Sequence, residues 1–433
     1  MKNTTILLVL LFSLAGCANL PARLTPSGLN STFSFDPGQP FAAYLDHCRS
    51  IILAGRTDLD SANRDTILSA NLPFELKPDP ARFPTGTNGR QRKGIVMVHG
   101  LSDSPYMMRT LAEHFRERGF LVRSILLPGH GTRPGDLTEV KEGAWRQALQ
   151  YAVQDTGRQV ENLYLAGFST GGALAVDYAA QHPGSLTALF LFAPCLQVKS
   201  PAARWARLVG LFRTWLEIRD DRDFAKYESF PFNAAAQIVA LTDRLKESSA
   251  FQPNGLALPV FIALSGEDET VDSAFTLDFF QKRLPNPANR LILYSGNRTP
   301  PTFSDQRVAV VTGFLPGRKI LSLSHLSLTL PAEDGHYGSQ GDYRSCLHYP
   351  AESVEYAECS AGRTAWLGEK TAANLQTGLL QRLTWNPRYT LQIDEIDRFI
   401  LALDPPLSVV ANPPSAPPGA PAQAGRCFCS SGL

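Results

Sequence analysis

Gly167-Phe168-Ser169-Thr170-Gly171 sets a hydroxyl between two glycines, and the residues on either side of it change period. Residues 162–166 read as a short buried strand. Residues 173–181 carry Leu174, Ala175, Tyr178 and Ala179 along one helical face. A strand that turns this sharply into a helix brings the two backbones almost into contact, so positions 167 and 171 leave no room for a Cβ. The serine then stands clear of its own backbone at a helix N-terminus, where the dipole favours a developing negative charge. The chemistry on offer is nucleophilic attack by Oγ. The bland alternative is a glycine-rich turn packing a strand onto a helix, and the five letters alone do not separate the two.

A serine nucleophile needs a base, a carboxylate to orient that base, and amide donors for an oxyanion. With a strand–turn–helix serine the chain order is serine, acid, histidine, each just past a sheet strand. After the apolar run VFIAL comes Ser265-Gly266-Glu267-Asp268-Glu269-Thr270-Val271-Asp272. Asp268 is the expected acid, just beyond the Gly266 turn and with Val271 available to anchor the loop; Glu269 is the runner-up. A carboxylate-rich loop on its own is ordinarily only solvated. Three histidines lie downstream of the acid: His325, His336 and His348. His325 directly follows the strand-like KILSLS and is the expected base, whereas His336 lies in the polar EDGHYG loop. His47, His99, His114, His130 and His182 precede the acid, so chain order argues against each as the base. The expected oxyanion donors are the backbone N–H groups of Thr170, next to the nucleophile, and of Leu101, just past the strand in VMVHGLSDSP.

The elements that must position these groups follow an α/β rhythm from Gly94. KGIVMVHG is a continuous apolar run of the kind a parallel sheet buries on both faces. A helix is expected over residues 106–118, then the strand of FLVRSILLPGHG, a helix through Trp145, the serine turn, and LTALFLFAP. Alternation of this kind predicts a mostly parallel central sheet with helices on both faces. It stops at residues 197–255, a mostly helical stretch containing the amphipathic ARWARLVGLFRTWLEI, too long for a simple connection and expected to form a helical cap. LPVFIALSG resumes the sheet, and NRLILYSG, RVAVVTGF and KILSLS supply further strand candidates.

The chain has 433 residues, 44% of them hydrophobic, enough for a large core, and its net charge of +1 without a basic block argues against a nucleic-acid partner. Lys2 precedes an apolar run from Ile6 to Leu14, long enough for a secretory signal and too short to span a bilayer. Leu14-Ala15-Gly16-Cys17 resembles a bacterial lipoprotein signal, which implies lipidation of Cys17 and a membrane anchor. By the same resemblance Ala18 implies the outer membrane, facing the periplasm, with the cell surface as the other option. Six further cysteines invite disulfides in an oxidising compartment. Cys346 with Cys359 is the favoured pair, closing a short polar loop, while Cys195 reads as a buried thiol. The division expected is a signal over 1–17, a polar linker and extension over 18–93, core over 94–196, cap over 197–255, core over 256–404 and a Pro-rich tail over 405–433.

VHGLSDSP, LPGHGT, GFSTGG, GEDETVD and SHLSL, in this order, resemble α/β-hydrolases of the serine carboxylesterase and monoacylglycerol-lipase type over residues 94–330. The resemblance implies an α/β-hydrolase fold, no cofactor, a cap, and ester hydrolysis through an acyl-enzyme on a small acyl ester. The extra strand-like segment between Asp268 and His325 departs from it. No H-E-x-x-H motif or zinc-like cysteine spacing occurs, so no metal is expected. A thioesterase or acyltransferase could use the same three residues, and a non-catalytic lipoprotein scaffold could use the same fold.

Overall fold

The structure, a computed structural model, describes residues 20–30 and 32–403. The signal, Cys17 and the tail with Cys427 and Cys429 lie outside the described residues.

Eight strands form the central sheet: β1 (Phe74–Leu76), β2 (Gln91–Val98), β3 (Phe120–Ile125), β4 (Val160–Phe168), β5 (Ala188–Phe192), β6 (Val260–Ser265), β7 (Arg290–Ser295) and β8 (Val308–Thr312), in the order β1-β3-β2-β4-β5-β6-β7-β8. Only the edge pairing of β1 with β3 is antiparallel; the other pairings are parallel. Residues 95–98 and 189–192 are fully buried, as expected of strands covered on both faces. Each such side chain contributes about 1.5–3 kcal/mol relative to exposure. Helices α1 (Phe41–Gly55), α2 (Arg109–Glu117), α3 (Glu142–Gly157), α4 (Thr170–Gln181), α5 (Phe232–Glu247), α6 (Ser273–Arg283) and α7 (Tyr389–Leu403) flank the sheet and its insertion. The Phe190 ring meets Phe115 of α2 and Phe399 of α7, so these two helices cover one face together.

Three segments depart from the sequence expectation. Residues 20–30 and 32–40 are not a free linker. Leu24 is buried, Ser27 binds the Asp136 carboxylate through N (2.5 Å) and Oγ (2.8 Å), and Asn30 accepts the Gly129 amide at 2.7 Å. The polar residues that read as a linker instead bond buried polar groups of the loop after β3.

The amphipathic stretch of the cap is not one helix. A 3-10 turn over Pro201–Trp205 leads into a single α-helical turn over Ala206–Val209; Trp215–Glu217 then pairs as a short strand with Phe230–Pro231. A helix this short needs an apolar face packed on a core, and Leu208, Leu211 and Phe212 are instead exposed, Phe212 by 87%. Gly210 ends the turn. α5 provides the long cap helix.

KILSLS does not join the central sheet. Ile320 forms isolated bridges with Leu315 and Leu367, and residues 319–321 exchange main-chain bonds with Leu367. β8 is the sheet's edge, and the segment runs past it to meet a separate pair of short parallel strands, Trp366–Gly368 and Leu380–Arg382. In the same region Cys346 and Cys359 are joined by a disulfide. Cys48 and Cys195 are free, and burial pushes each thiol up to about 12.

Candidate active site

β4 ends at Phe168 and α4 begins at Thr170, leaving Ser169 alone to make the turn with φ 53° and ψ −114°. A non-glycine residue in this region is strained and persists only where its surroundings over-determine it. Here they do. Ser169 N donates to Phe192 O of β5 (2.9 Å), and Ser169 O accepts the Cys195 amide (2.9 Å). A Cβ at position 167 would lie 2.2 Å from Gly171 O, and one at 171 would lie 2.2 Å from Val98 O. The two glycines let β4, α4 and β2 touch, and the hydroxyl is pushed out of the turn.

His325 opens a single 3-10 turn, His325–Ser327, capped by Ser324 Oγ on the Leu326 amide. Its Nε2 lies 3.0 Å from Ser169 Oγ and its Nδ1 lies 2.7 Å from Asp268 Oδ2. A carboxylate can only accept, so Nδ1 carries the proton and Nε2 is free to accept from the serine hydroxyl. Asp268 Oδ1 accepts the amides of Thr270 (2.7 Å) and Val271 (2.9 Å). Burial alone would raise the Asp268 carboxyl; His325 and the two amides outweigh it and hold the group below its ordinary value. All three side chains are nearly enclosed, with Ser169 7% exposed.

The other candidates lie elsewhere. Glu269 is exposed. His336 bonds Asp223 through Nε2 (3.1 Å) and Asp342 through Nδ1, and His348 Nε2 donates to Leu380 O (3.1 Å). Leu101 and Thr170 both border the cavity that holds Ser169 and His325. As the first residue of α4, Thr170 has an amide without an intrahelical acceptor.

Two histidines considered only as bases hold the Leu101 loop. His99 Nε2 accepts the Leu127 amide at 3.0 Å, so its Nδ1 donates to Gly100 O at 2.7 Å. His130 Nε2 accepts the Ser102 amide at 3.0 Å. Burial lowers His99 to about 4 and His130 to about 3, so both rings are neutral acceptors. From the cap, Lys226 Nζ donates to Ser102 Oγ (3.0 Å) and Asp103 Oδ1 (2.6 Å), and Tyr227 N donates to Ser102 O (2.8 Å). The signal for the histidines was visible in the repeated His-Gly at strand ends. Nothing in the sequence pointed to Lys226.

The cavity measures about 540 Å³ and is walled mainly by apolar side chains of the cap, among them Trp205, Val209, Leu216, Phe230 and Ile238. Its cations, Lys226 and Arg382, are each paired, with Asp103 and Glu369. Among the described residues no cluster of His, Cys, Asp and Glu could hold a metal ion, and no helix is long and apolar enough to cross a membrane.

The family model of the serine aminopeptidases, S33, matches residues 89–298, a span that contains Ser169 and Asp268 but ends before His325. A thermostable monoacylglycerol lipase of Bacillus sp. is 24% identical over 184 residues, covering 41% of this chain and 71% of its own length. A pimeloyl-(acyl-carrier protein) methyl ester esterase of Aromatoleum aromaticum is 30% identical over 118 residues, covering 26% of this chain and 44% of its own length. Among solved structures, the monoacylglycerol lipase of Paleococcus ferrophilus aligns with 52% of this chain and 88% of its own at 17% identity and a TM-score of 0.42. Strand order, crossover helices and matched region agree: the chain has the α/β-hydrolase fold, and its sequence likeness is to esterases and lipases.

Proposed function

We propose that the protein is a serine hydrolase of carboxylic esters with lipophilic acyl groups. The observation that carries this reading is the continuous chain from Asp268 through His325 to Ser169, ending in an apolar cavity. Ser169 Oγ attacks the ester carbonyl as His325 Nε2 takes its proton, and Asp268 stabilises the imidazolium that forms. The amides of Leu101 and Thr170 receive the oxyanion, a contribution of about 10²–10³ in rate per donor. His325 then protonates the departing alkoxide, and water deprotonated by the same imidazole releases the acyl group.

The apolar cap walls support a hydrophobic acyl chain, since each buried CH₂ adds about 0.8 kcal/mol of binding. The exposed Leu208, Leu211 and Phe212, next in sequence to the cavity-lining Val209, point the same way. Lipidation of Cys17 at an outer membrane facing the periplasm completes the proposal, supported by Leu14-Ala15-Gly16-Cys17 for the lipid and by Ala18 for the membrane. It is checked by the membrane fraction and N-terminal mass of the mature protein against Cys17→Ser.

The test of function is a panel of p-nitrophenyl and monoacylglycerol esters of graded acyl length, with thioester and alcohol-acceptor arms. Hydrolysis that peaks at medium or long chains and vanishes in Ser169→Ala is expected. Preference for a thioester or for an alcohol acceptor would reassign the reaction to a thioesterase or acyltransferase. A folded protein inert on every arm would leave a scaffold.

A further inference from the structure

His325 lies in a stretch without regular sheet pairing, yet its main chain is fixed. Glu369, fully buried, accepts the His325 amide with Oε2 at 3.0 Å. The same oxygen accepts Arg382 Nη2 at 2.9 Å, and that nitrogen also donates to Thr270 Oγ1 at 2.7 Å. Thr270 in turn gives its amide to Asp268 Oδ1. A single carboxylate–guanidinium pair therefore joins the loop of the acid to the loop of the base. Arg382 ends the short strand Leu380–Arg382 and Glu369 directly follows its partner Trp366–Gly368, both outside the region matched by the family model. Glu369 is anchored in its turn by Ser322 Oγ on its amide (3.0 Å) and Lys370 N on Oε1 (2.9 Å).

We infer that Glu369 and Arg382 are positioning residues that fix the spacing of Asp268 and His325 and, as a balanced charge pair, set the proton affinity of that couple. The inference rests on the reading of Ser169, His325 and Asp268 as the reacting groups. The charges around the imidazole are Asp268, the Glu369–Arg382 pair and, across the cavity, Lys226 with Asp103. Lys370, Glu267 and His348 interact with the pair from its other sides. Arg382 keeps its charge against burial because Glu369 faces it, and it also interacts with Asp268. Removing one member leaves an uncompensated charge in a site of low dielectric, where its effect reaches several ångströms.

The test is the pH dependence of kcat/KM on a p-nitrophenyl ester, whose acid limb reports the base of the free enzyme. Glu369→Gln leaves the guanidinium unopposed beside a forming imidazolium, so the midpoint should fall by about one pH unit. Arg382→Met leaves the carboxylate unopposed, so it should rise by about as much. The double variant should return the midpoint to the wild-type value while kcat stays low. Arg382→Lys should keep the midpoint and lower kcat about tenfold with KM nearly unchanged, because charge survives and the fork geometry does not.

Opposite shifts in the single variants are the expected result. Midpoints that all coincide with wild type, or that all move in one direction, would overturn the inference and leave the pair merely structural. A buried charge left alone can also unfold a protein; should Glu369→Gln fail to fold, the difference in midpoint between Arg382→Met and Arg382→Lys decides. Wild-type protein with no ester turnover would instead defeat the reading of the site itself.

Discussion

Ser169 and His325 approach to 3.0 Å, but the two sides of that contact are built differently. The serine is placed by main chain: a strand, one strained residue, a helix, and two glycines that admit the close approach. The histidine is placed by side chains: Ser324 and Ser327 cap its turn, Glu369 holds its amide, and Arg382 ties that carboxylate to the acid's loop. Backbone placement tolerates substitution nearby and fails only when a Cβ intrudes. Side-chain placement depends on residues far along the chain and is correspondingly tunable.

The largest effects should fall on the groups proposed to react. Ser169→Ala is expected to lower kcat about 10⁶-fold and Asp268→Asn about 10⁴-fold, while Glu269→Gln stays within about twofold. Ester turnover by the purified variants checks the ranking, and a larger loss at Glu269 than at Asp268 would overturn the assignment of the acid. Next comes the backbone side of the comparison. Gly171→Ala places a Cβ 2.2 Å from Val98 O and should cost about 3 kcal/mol or more, whereas Gly335→Ala, with nothing within 4 Å, should be neutral in a urea titration.

On the side-chain side, the Cys346–Cys359 disulfide closes a separation of 13 residues in the region that supports His325. Replacing both cysteines by serine should cost about 3 kcal/mol. Hydrogen exchange should rise around residues 319–326 and 366–382 and remain unchanged around residues 162–181. Equal loosening of both regions would erase the distinction drawn between them.

The last effect is graded with pH. His99 and His130 titrate at about 4 and about 3 in the native protein, below the ordinary 6.5, so between these limits the unfolded chain binds protons that the native protein excludes. Their stabilisation is complete above pH 6.5 and is lost as pH falls, at about 1.4 kcal/mol per unit for each ring. From pH 6.5 to 5 the two together should cost about 3 kcal/mol in urea titrations. His348, lowered to about 4, adds to the loss in the same direction. His130→Gln should flatten the slope; an unaltered slope would show that the ring is not excluded from protonation.

What was legible in the sequence follows the same division. The sheet strands appear as apolar runs because burial on both faces demands it, and the serine turn appears because Gly167 and Gly171 are sterically forced. The loop that carries His325 left little trace. KILSLS has a strand's composition, but its pairing partner is Leu367 of the short strand Trp366–Gly368 rather than the sheet, and no local pattern encodes a contact nearly fifty residues away. Glu369 and Arg382 look like ordinary surface charges until the fold brings them together. ARWARLVGLFRTWLEI has a helical period without a core to pack against, so the period did not become one long helix. Residues 20–30 and 32–40 read as a linker because their polar atoms serve buried partners in another loop.

The most direct test of the central claim is the intact mass of the protein after incubation with a fluorophosphonate, followed by peptide mapping. One adduct on Ser169 is predicted, absent in Ser169→Ala and formed far more slowly in His325→Ala. A folded wild-type protein that stays unmodified, or carries its adduct on another residue, would contradict the account.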